Sequence, residues 1–290
     1  MRPILKSLLA FVFLATAGFA ADTPLAAEWR KKAEAGDAFF QEVMGLAYGE
    51  GLGGVAKNSA ESIKWHRLAA EQGLAEAQGN LGIMYRESES NPRNYAEVVK
   101  WSRLAAEQGD ARGQNTLAVS YQNGEGVPRD YAEAMRLYRL SAAQGNVIAQ
   151  CNIGVMYANG EGVSRDYVEA VKWFRLAAEG GYAQAKYNLG WMYDKGEGLA
   201  KDSDQAVKWW RLAAEEGVAE AQCALGTKYW QGYGVPKDLV QAHVWMNISA
   251  AKGNELAKEK IPVLEKQMTD SQKEKAMDLA RELFAKLPKK

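Results

Sequence analysis

The chain repeats itself every 36 residues, and that period limits what it can fold into before any single motif is considered. Gly73, Gly109, Gly145, Gly181, Gly217 and Gly253 mark the period. Trp65, Trp101, Trp173, Trp209 and Trp245 keep it too, with Leu137 in the vacant tryptophan place. Tyr85, Tyr121, Tyr157, Tyr193 and Tyr229 follow, and Tyr48 is displaced by one extra residue in the first repeat. Six repeats result, over 37–73, 74–109, 110–145, 146–181, 182–217 and 218–253.

Each repeat reads as two short helices joined by a glycine-rich turn. An N-cap residue starts the second helix at Asn58, Asn94, Asp130, Asp166, Asp202 and Asp238. Three places on stand Glu61, Glu97, Glu133, Glu169, Gln205 and Gln241, predicting a capping box in all six repeats. Turns such as Asn123-Gly124-Glu125-Gly126 stop the first helix, because glycine enters the left-handed conformation without a side-chain clash. In the first helix Ala149, Ile153, Gly154 and Tyr157 gather on one arc at about 100° per residue. The glycine recurs as Gly45, Gly82, Gly190 and Gly226 and admits a neighbouring helix. Ala170, Trp173, Ala177 and Ala178 make the stripe of the second helix, so large tryptophan is expected to face small residues. One such helix pair cannot bury its own apolar face, so the repeats must stack. The expected fold is all-α, a right-handed α/α superhelical solenoid of helix pairs.

The ends read as caps for the stack: residues 21–36, with Trp29, as an N-terminal capping helix, and residues 254–290 as C-terminal capping helices, with a further capping box at Thr269 and Gln272. Residues 1–20 carry Arg2 and Lys6, an almost wholly apolar run from Ser7 to Ala17, and small residues at Gly18 and Ala20. This is the pattern of a signal peptide cleaved between Ala20 and Ala21. The apolar run is shorter than the roughly 20 residues that cross a bilayer. The mature protein is therefore expected in the periplasm or secreted, with no integral membrane segment after signal removal.

Composition narrows the chemistry. The 36 basic and 36 acidic residues become 34 and 36 once Arg2 and Lys6 leave with the signal, which argues against a nucleic-acid partner. Cys151 and Cys223 stand two repeats apart, too far for a disulfide in a stacked array, and are expected to be free, mostly buried thiols. His66 and His243 lie at different positions of repeats far apart and read as solvated or half-buried. They offer no pair for a metal or for nucleophilic catalysis, so no metal or cofactor and no enzymatic activity are expected. Ser249-Ala250-Ala251-Lys252 matches the S-x-x-K of penicillin-recognising enzymes, but S-D-N and K-T-G are missing from the sequence.

The pattern A-x-x-x-L-G-x-x-Y, then G-x-G-V, a basic-acidic pair and A-x-x-W-x-x-x-A-A-x-x-G, resembles the Sel1-like repeat, a tetratricopeptide-like unit of the same 36-residue length. Gln150 to Gly180 is a near-complete match and the likeness spans 37–253, while the second repeat departs from it at Glu87-Ser88-Glu89-Ser90-Asn91-Pro92. The resemblance implies that the first helices line the concave side of the superhelix. It also implies an exported bacterial protein-protein interaction scaffold, an adaptor that presents this groove to a protein or peptide of the cell envelope.

Positions five and two before the tyrosine carry Asn80, Asn152 and Asn188, and Ile83, Val119, Val155, Trp191 and Thr227, with Trp230 following Tyr229. Amides beside apolar pockets suit an extended peptide. The same residues also suit packing between repeats. Two further readings belong to other classes. One is a cell-wall or β-lactam binding protein with weak hydrolase activity at Ser249 and Lys252. The other is a binder of an acidic polysaccharide along Lys57, Arg93, Arg129, Arg165, Lys201 and Lys237, a row that otherwise pairs with Glu50, Glu125, Glu161 and Glu197.

Overall fold

The computed structural model describes residues 24–52, 55–87 and 94–288. Residues 1–20, read above as a signal peptide, residues 88–92 of the unusual turn and Arg93 therefore lie outside the described residues. Fifteen helices and no strand occur among them. α1 spans Pro24–Glu34, and the first helices of the six repeats are α2 Ala38–Glu50, α4 Ala75–Glu87, α6 Ala111–Asn123, α8 Val147–Asn159, α10 Ala183–Lys195 and α12 Ala219–Gln231. The second helices are α3 Ser59–Glu71, α5 Tyr95–Glu107, α7 Tyr131–Ala143, α9 Tyr167–Glu179, α11 Ser203–Glu215 and α13 Leu239–Ala251, followed by α14 Glu255–Glu265 and α15 Asp270–Lys286. The chain is an all-α helical repeat solenoid. It divides into two compact units, Met1–Asn146 and Val147–Lys290. Within each unit every helix packs on the next in sequence along the repeats, and α13 at the far end of the second unit is covered by α14 and α15.

The second helices start where their N-caps stand. Asp130 and Asp166 each accept the backbone N–H groups of the second and third helical residues at 2.9–3.0 Å, and Asp202 and Asp238 accept the third at 2.9 and 3.0 Å. The reciprocal half of the expected capping box is replaced. Glu61 and Glu133 pair instead with Lys64 and Arg136 one turn on, at 3.4 and 2.7 Å, Glu169 pairs likewise with Lys172, and Glu97 accepts the indole N–H of Trp101 at 2.7 Å. A cation three residues away offers the carboxylate a stronger partner than an exposed backbone N–H. Both halves of a box are present at Thr269 and Gln272.

The glycine of the first helix admits a neighbour, though not the expected tryptophan. A Cβ on Gly154 would lie 2.7 Å from the Phe174 ring, one on Gly190 2.5 Å from Trp210, and one on Gly45 2.2 Å from the His66 ring. The residue after the repeating tryptophan fills this slot, as His66, Ser102, Tyr138, Phe174, Trp210 and Met246. Phe174 is accordingly buried and Trp173 only half-buried. Both histidines are corrected by the same register. His66 sits in the slot of Phe174, and His243 in the core position of Val99, Met135, Val171 and Val207, so both are buried and neither is solvated.

An amide ladder joins successive repeats. Gln72, Gln108 and Gln144, at the ends of α3, α5 and α7, donate to Gln41, Gln78 and Gln114 at 2.8, 2.8 and 2.9 Å. Gln72 and Gln144 also donate to the backbone carbonyls of Gly36 and Gly109, each at 3.0 Å. In the second unit the equivalent pair is an ion pair, Lys186 with Glu216. Two rungs are missing: the buried Oε1 of Gln222 has no hydrogen-bond partner, the facing Lys252 donating to the Gly217 carbonyl instead, and Gly180 stands where glutamine is expected, so that the buried Oε1 of Gln150 has none either. The reason for the rung lost at Gly180 lies at Val147, which replaces the alanine at 38, 75, 111, 183 and 219. A Cβ on Gly180 would stand 2.4 Å from Val147 Cγ1, so valine at one position excludes a side chain at the other.

Candidate partner-binding surface

In the second unit the first helices α8, α10 and α12 carry the predicted groove residues Asn152, Val155, Asn188, Trp191 and Thr227. Trp191 is 38% exposed, unusual for an indole on a packed helix. It lines two cavities. One, of about 160 Å³, is walled by Val155, Phe174, Asn188 and Met192. The other, of about 410 Å³, is walled by Tyr187, Trp210, Cys223, Thr227, Lys228 and Lys260. Val155, Asn188, Trp191 and Thr227 thus share one surface, with Asn152 half-buried on α8.

The polar groups of this surface are held in place from behind. The Asn188 amide donates to Cys151 Sγ at 3.4 Å, and the Thr227 hydroxyl donates to the Cys223 carbonyl at 2.9 Å and accepts from Lys260 Nζ at 3.0 Å. Lys228 is buried in an ion pair with Asp194. Burial pushes the Cys151 thiol up to about 12, against the opposing Asn188 bond, and raises Cys223 as well. Both cysteines are free and buried, and neither is a thiolate at neutral pH. Trp230 is placed elsewhere: its indole donates to Gln267 at 3.2 Å and its ring packs against the core under the C-terminal helices. It anchors that cap and lines neither Trp191 cavity.

In the first unit the corresponding positions are largely occupied. Val119 is buried and Ile83 half-buried. Asn80 is bonded at both ends, its amide to Glu42 at 2.8 Å and its carbonyl to Arg112 at 2.9 Å. It belongs to a buried cluster that the sequence reading did not single out. Glu42 is 1% exposed, and its Oε2 lacks a hydrogen bond and lies 3.7 Å from His66 Nε2. Removal from water raises the Glu42 carboxyl from 4.5 to about 7 despite Arg112 and Asn80, and lowers His66 from 6.5 to about 4. The contact of His66 Nδ1 with the Ser62 carbonyl at 2.8 Å requires a hydrogen there, so Nε2 presents its lone pair toward Glu42 in the neutral ring. Aligning the repeats exposes the signal, since Glu42 falls where Gly79, Asn115, Cys151, Tyr187 and Cys223 stand.

The two other readings meet particular side chains. Ser249 is fully buried and its hydroxyl donates to the Ala219 carbonyl at 2.6 Å, the bond that Ser141 makes to Ala111 in an earlier repeat without any S-x-x-K pattern. Lys252 Nζ donates to the Gly217 carbonyl at 2.8 Å. Both groups therefore serve the joint between repeats. Along the turns, Arg129 and Arg165 lie over the rings of Tyr131 and Tyr167 at 5.4 and 5.6 Å. A different arginine row joins helices: Arg103, Arg175 and Arg211 donate to the hydroxyls of Tyr121, Tyr193 and Tyr229 at 3.2, 3.4 and 2.7 Å, and Arg67 to Tyr85. The repeating tyrosine thus marks the period because it is an acceptor as well as a core ring. Among the described residues no three His, Cys, Asp or Glu side chains converge to hold a metal ion. No described helix is long and apolar enough to cross a membrane.

Comparison with known proteins agrees with this architecture. The Sel1 repeat family model matches six times, at 40–74, 75–110, 111–146, 147–182, 183–218 and 219–254. The chain is similar to a protective antigen of uropathogenic Escherichia coli strains that displays an SLR fold, with 33% identity and a TM-score of 0.80. That match takes in 99% of this chain and 62% of the antigen, so this chain spans under two thirds of the antigen's length. A Sel1 repeat protein from Oxalobacter formigenes is similar at 32% identity and a TM-score of 0.68, over 91% of this chain and 76% of that one. An immunity protein from Pseudomonas aeruginosa shares the fold at 20% identity and a TM-score of 0.50, over 73% and 82%. No curated protein matches the chain. With six matched repeats covering most of its length, the chain belongs to the Sel1 repeat family.

Proposed function

We propose that this protein is an exported, non-enzymatic scaffold of the bacterial envelope whose second unit holds a protein or peptide partner in a groove around Trp191. Sel1 repeat proteins are generally protein-interaction scaffolds, and the family is generally non-catalytic. The observation that carries the reading is Trp191 itself, an indole left partly in water between two cavities where the other repeats place smaller residues. Beside it Asn188 offers an amide carbonyl to a peptide backbone, and Val155 an apolar wall. The export signal of residues 1–20 and the antigen status of the Escherichia coli relative support a location outside the cytoplasm. The test is capture of envelope proteins by the chain 21–290 and by its Trp191→Ala variant, with circular dichroism showing both folded. A partner kept by the first and lost by the second supports the groove. Equal capture by both contradicts it. N-terminal sequencing of the exported protein should begin at Ala21, and retention of Met1 on the mature chain would contradict the export reading.

A further inference from the structure

The cavity of about 410 Å³ beside Trp191 has one half-buried charge that no ion pair answers. Its floor is apolar, with Trp210 and Cys223 buried and Tyr187 half-buried. Lys228 in that floor is neutralised by Asp194. Lys260, on α14, is half-buried in the wall, and its ammonium donates to the Thr227 hydroxyl at 3.0 Å. Among the described residues no carboxylate comes within ion-pair distance of it. A partly desolvated ammonium with spare donors attracts an anion more strongly than a surface lysine does, because fewer waters compete. At the mouth stand Lys195, over the Trp191 ring at 5.8 Å, and Glu220, an exposed carboxylate of opposite sign.

Resting on the groove reading above, we propose that this cavity selects an acidic peptide segment, one apolar side chain entering between Trp191 and Trp210 while an adjacent carboxylate meets Lys260. Apolar depth supplies affinity and the half-buried Lys260 ammonium supplies choice, since a neutral amide at the same place leaves Lys260 without its counter-charge. The cation comes from the C-terminal cap and the apolar walls from the repeats, so the selecting element lies outside the repeated sequence.

Two blocked peptides test this, acetyl-Gly-Leu-Phe-Glu-Gly-amide and the same sequence with Gln for Glu, titrated into the chain 21–290 at low salt and followed by chemical-shift changes of the tryptophan indole N–H groups. The Glu peptide is expected to bind about tenfold more tightly, the factor that one such pair supplies at roughly 1.4 kcal/mol. Lys260→Gln should reduce the preference to about twofold or less, Lys260→Arg should keep it, and Glu220→Gln should enlarge it. Trp191→Ala should weaken both peptides alike. Equal binding of the two peptides by wild type, with both lost in Trp191→Ala, would leave the groove standing and overturn the carboxylate selection. A preference that persists unchanged in Lys260→Gln would also overturn it, as would no binding of either peptide.

Discussion

At the scale of single residues the informative feature is a buried pair, Glu42 and His66, whose titrations burial shifts in opposite directions. The folded Glu42 carboxyl, at about 7, contributes stability that is full below pH 4.5 and lost as pH rises through 7. His66, held near 4, contributes stability that is present above pH 6.5 and lost as pH falls through 4. Between about pH 4.5 and 6.5 the two slopes oppose, so wild type should show little change there in its denaturation midpoint. Asn80, Arg112, Asp110 and Glu76 face the pair from α4, α6 and its N-cap. Glu42→Gln should unmask the histidine, with stability rising from pH 4.5 to 6.5 by up to about 1.4 kcal/mol per pH unit. His66→Gln should unmask the carboxyl, with stability falling over the same range. Denaturant midpoints across pH check both, and flat profiles in the two variants would contradict the opposite shifts of Glu42 and His66.

At the scale of helices the pairing of small with large residues decides which rungs exist. Phe174 of α9, not Trp173, lies on Gly154, so Phe174→Ala should cost about 3–5 kcal/mol and Trp173→Ala distinctly less. Equal losses in thermal or denaturant unfolding would mean that the tryptophan carries the packing after all. The rung lost at Gly180 makes a sharper case. Val147→Ala with Gly180→Gln should restore a bond to the orphaned Gln150 Oε1 and add roughly 1 kcal/mol relative to Val147→Ala alone. Gly180→Gln by itself should destabilise, because its Cβ meets Val147. The favourable coupling between the two changes is the quantity to measure in a double-mutant cycle, and strict additivity would refute the exchange of alanine and glutamine for valine and glycine.

For the whole molecule, the fold was legible because 36-residue periodicity, caps and turn glycines all specify the same helix pair. The position before or after a repeating residue was less legible, since a helix wheel cannot tell a core slot from a groove slot when both lie near the same edge. That is why His66 and His243 read as wetter than they are, and why Val119 and Trp191, equivalent in sequence, differ in fate. Valine is short enough to be covered by neighbouring helices, while the indole at 191 reaches past them into solvent. Trp230 and Lys260 were opaque for another reason: their partners, Gln267 and Thr227, join the repeats to a cap that has no period to align. The second helices leave another surface, with Leu176 and Leu212 exposed, so the location of partner contact is a choice between two faces of the second unit. Site-specific photocrosslinking decides it most directly, with benzoylphenylalanine placed at Asn159, on the rim beside Trp191, or at Leu176, on the second helix. The account predicts a partner adduct from position 159 and none from 176; an adduct from 176 with none from 159 would contradict it.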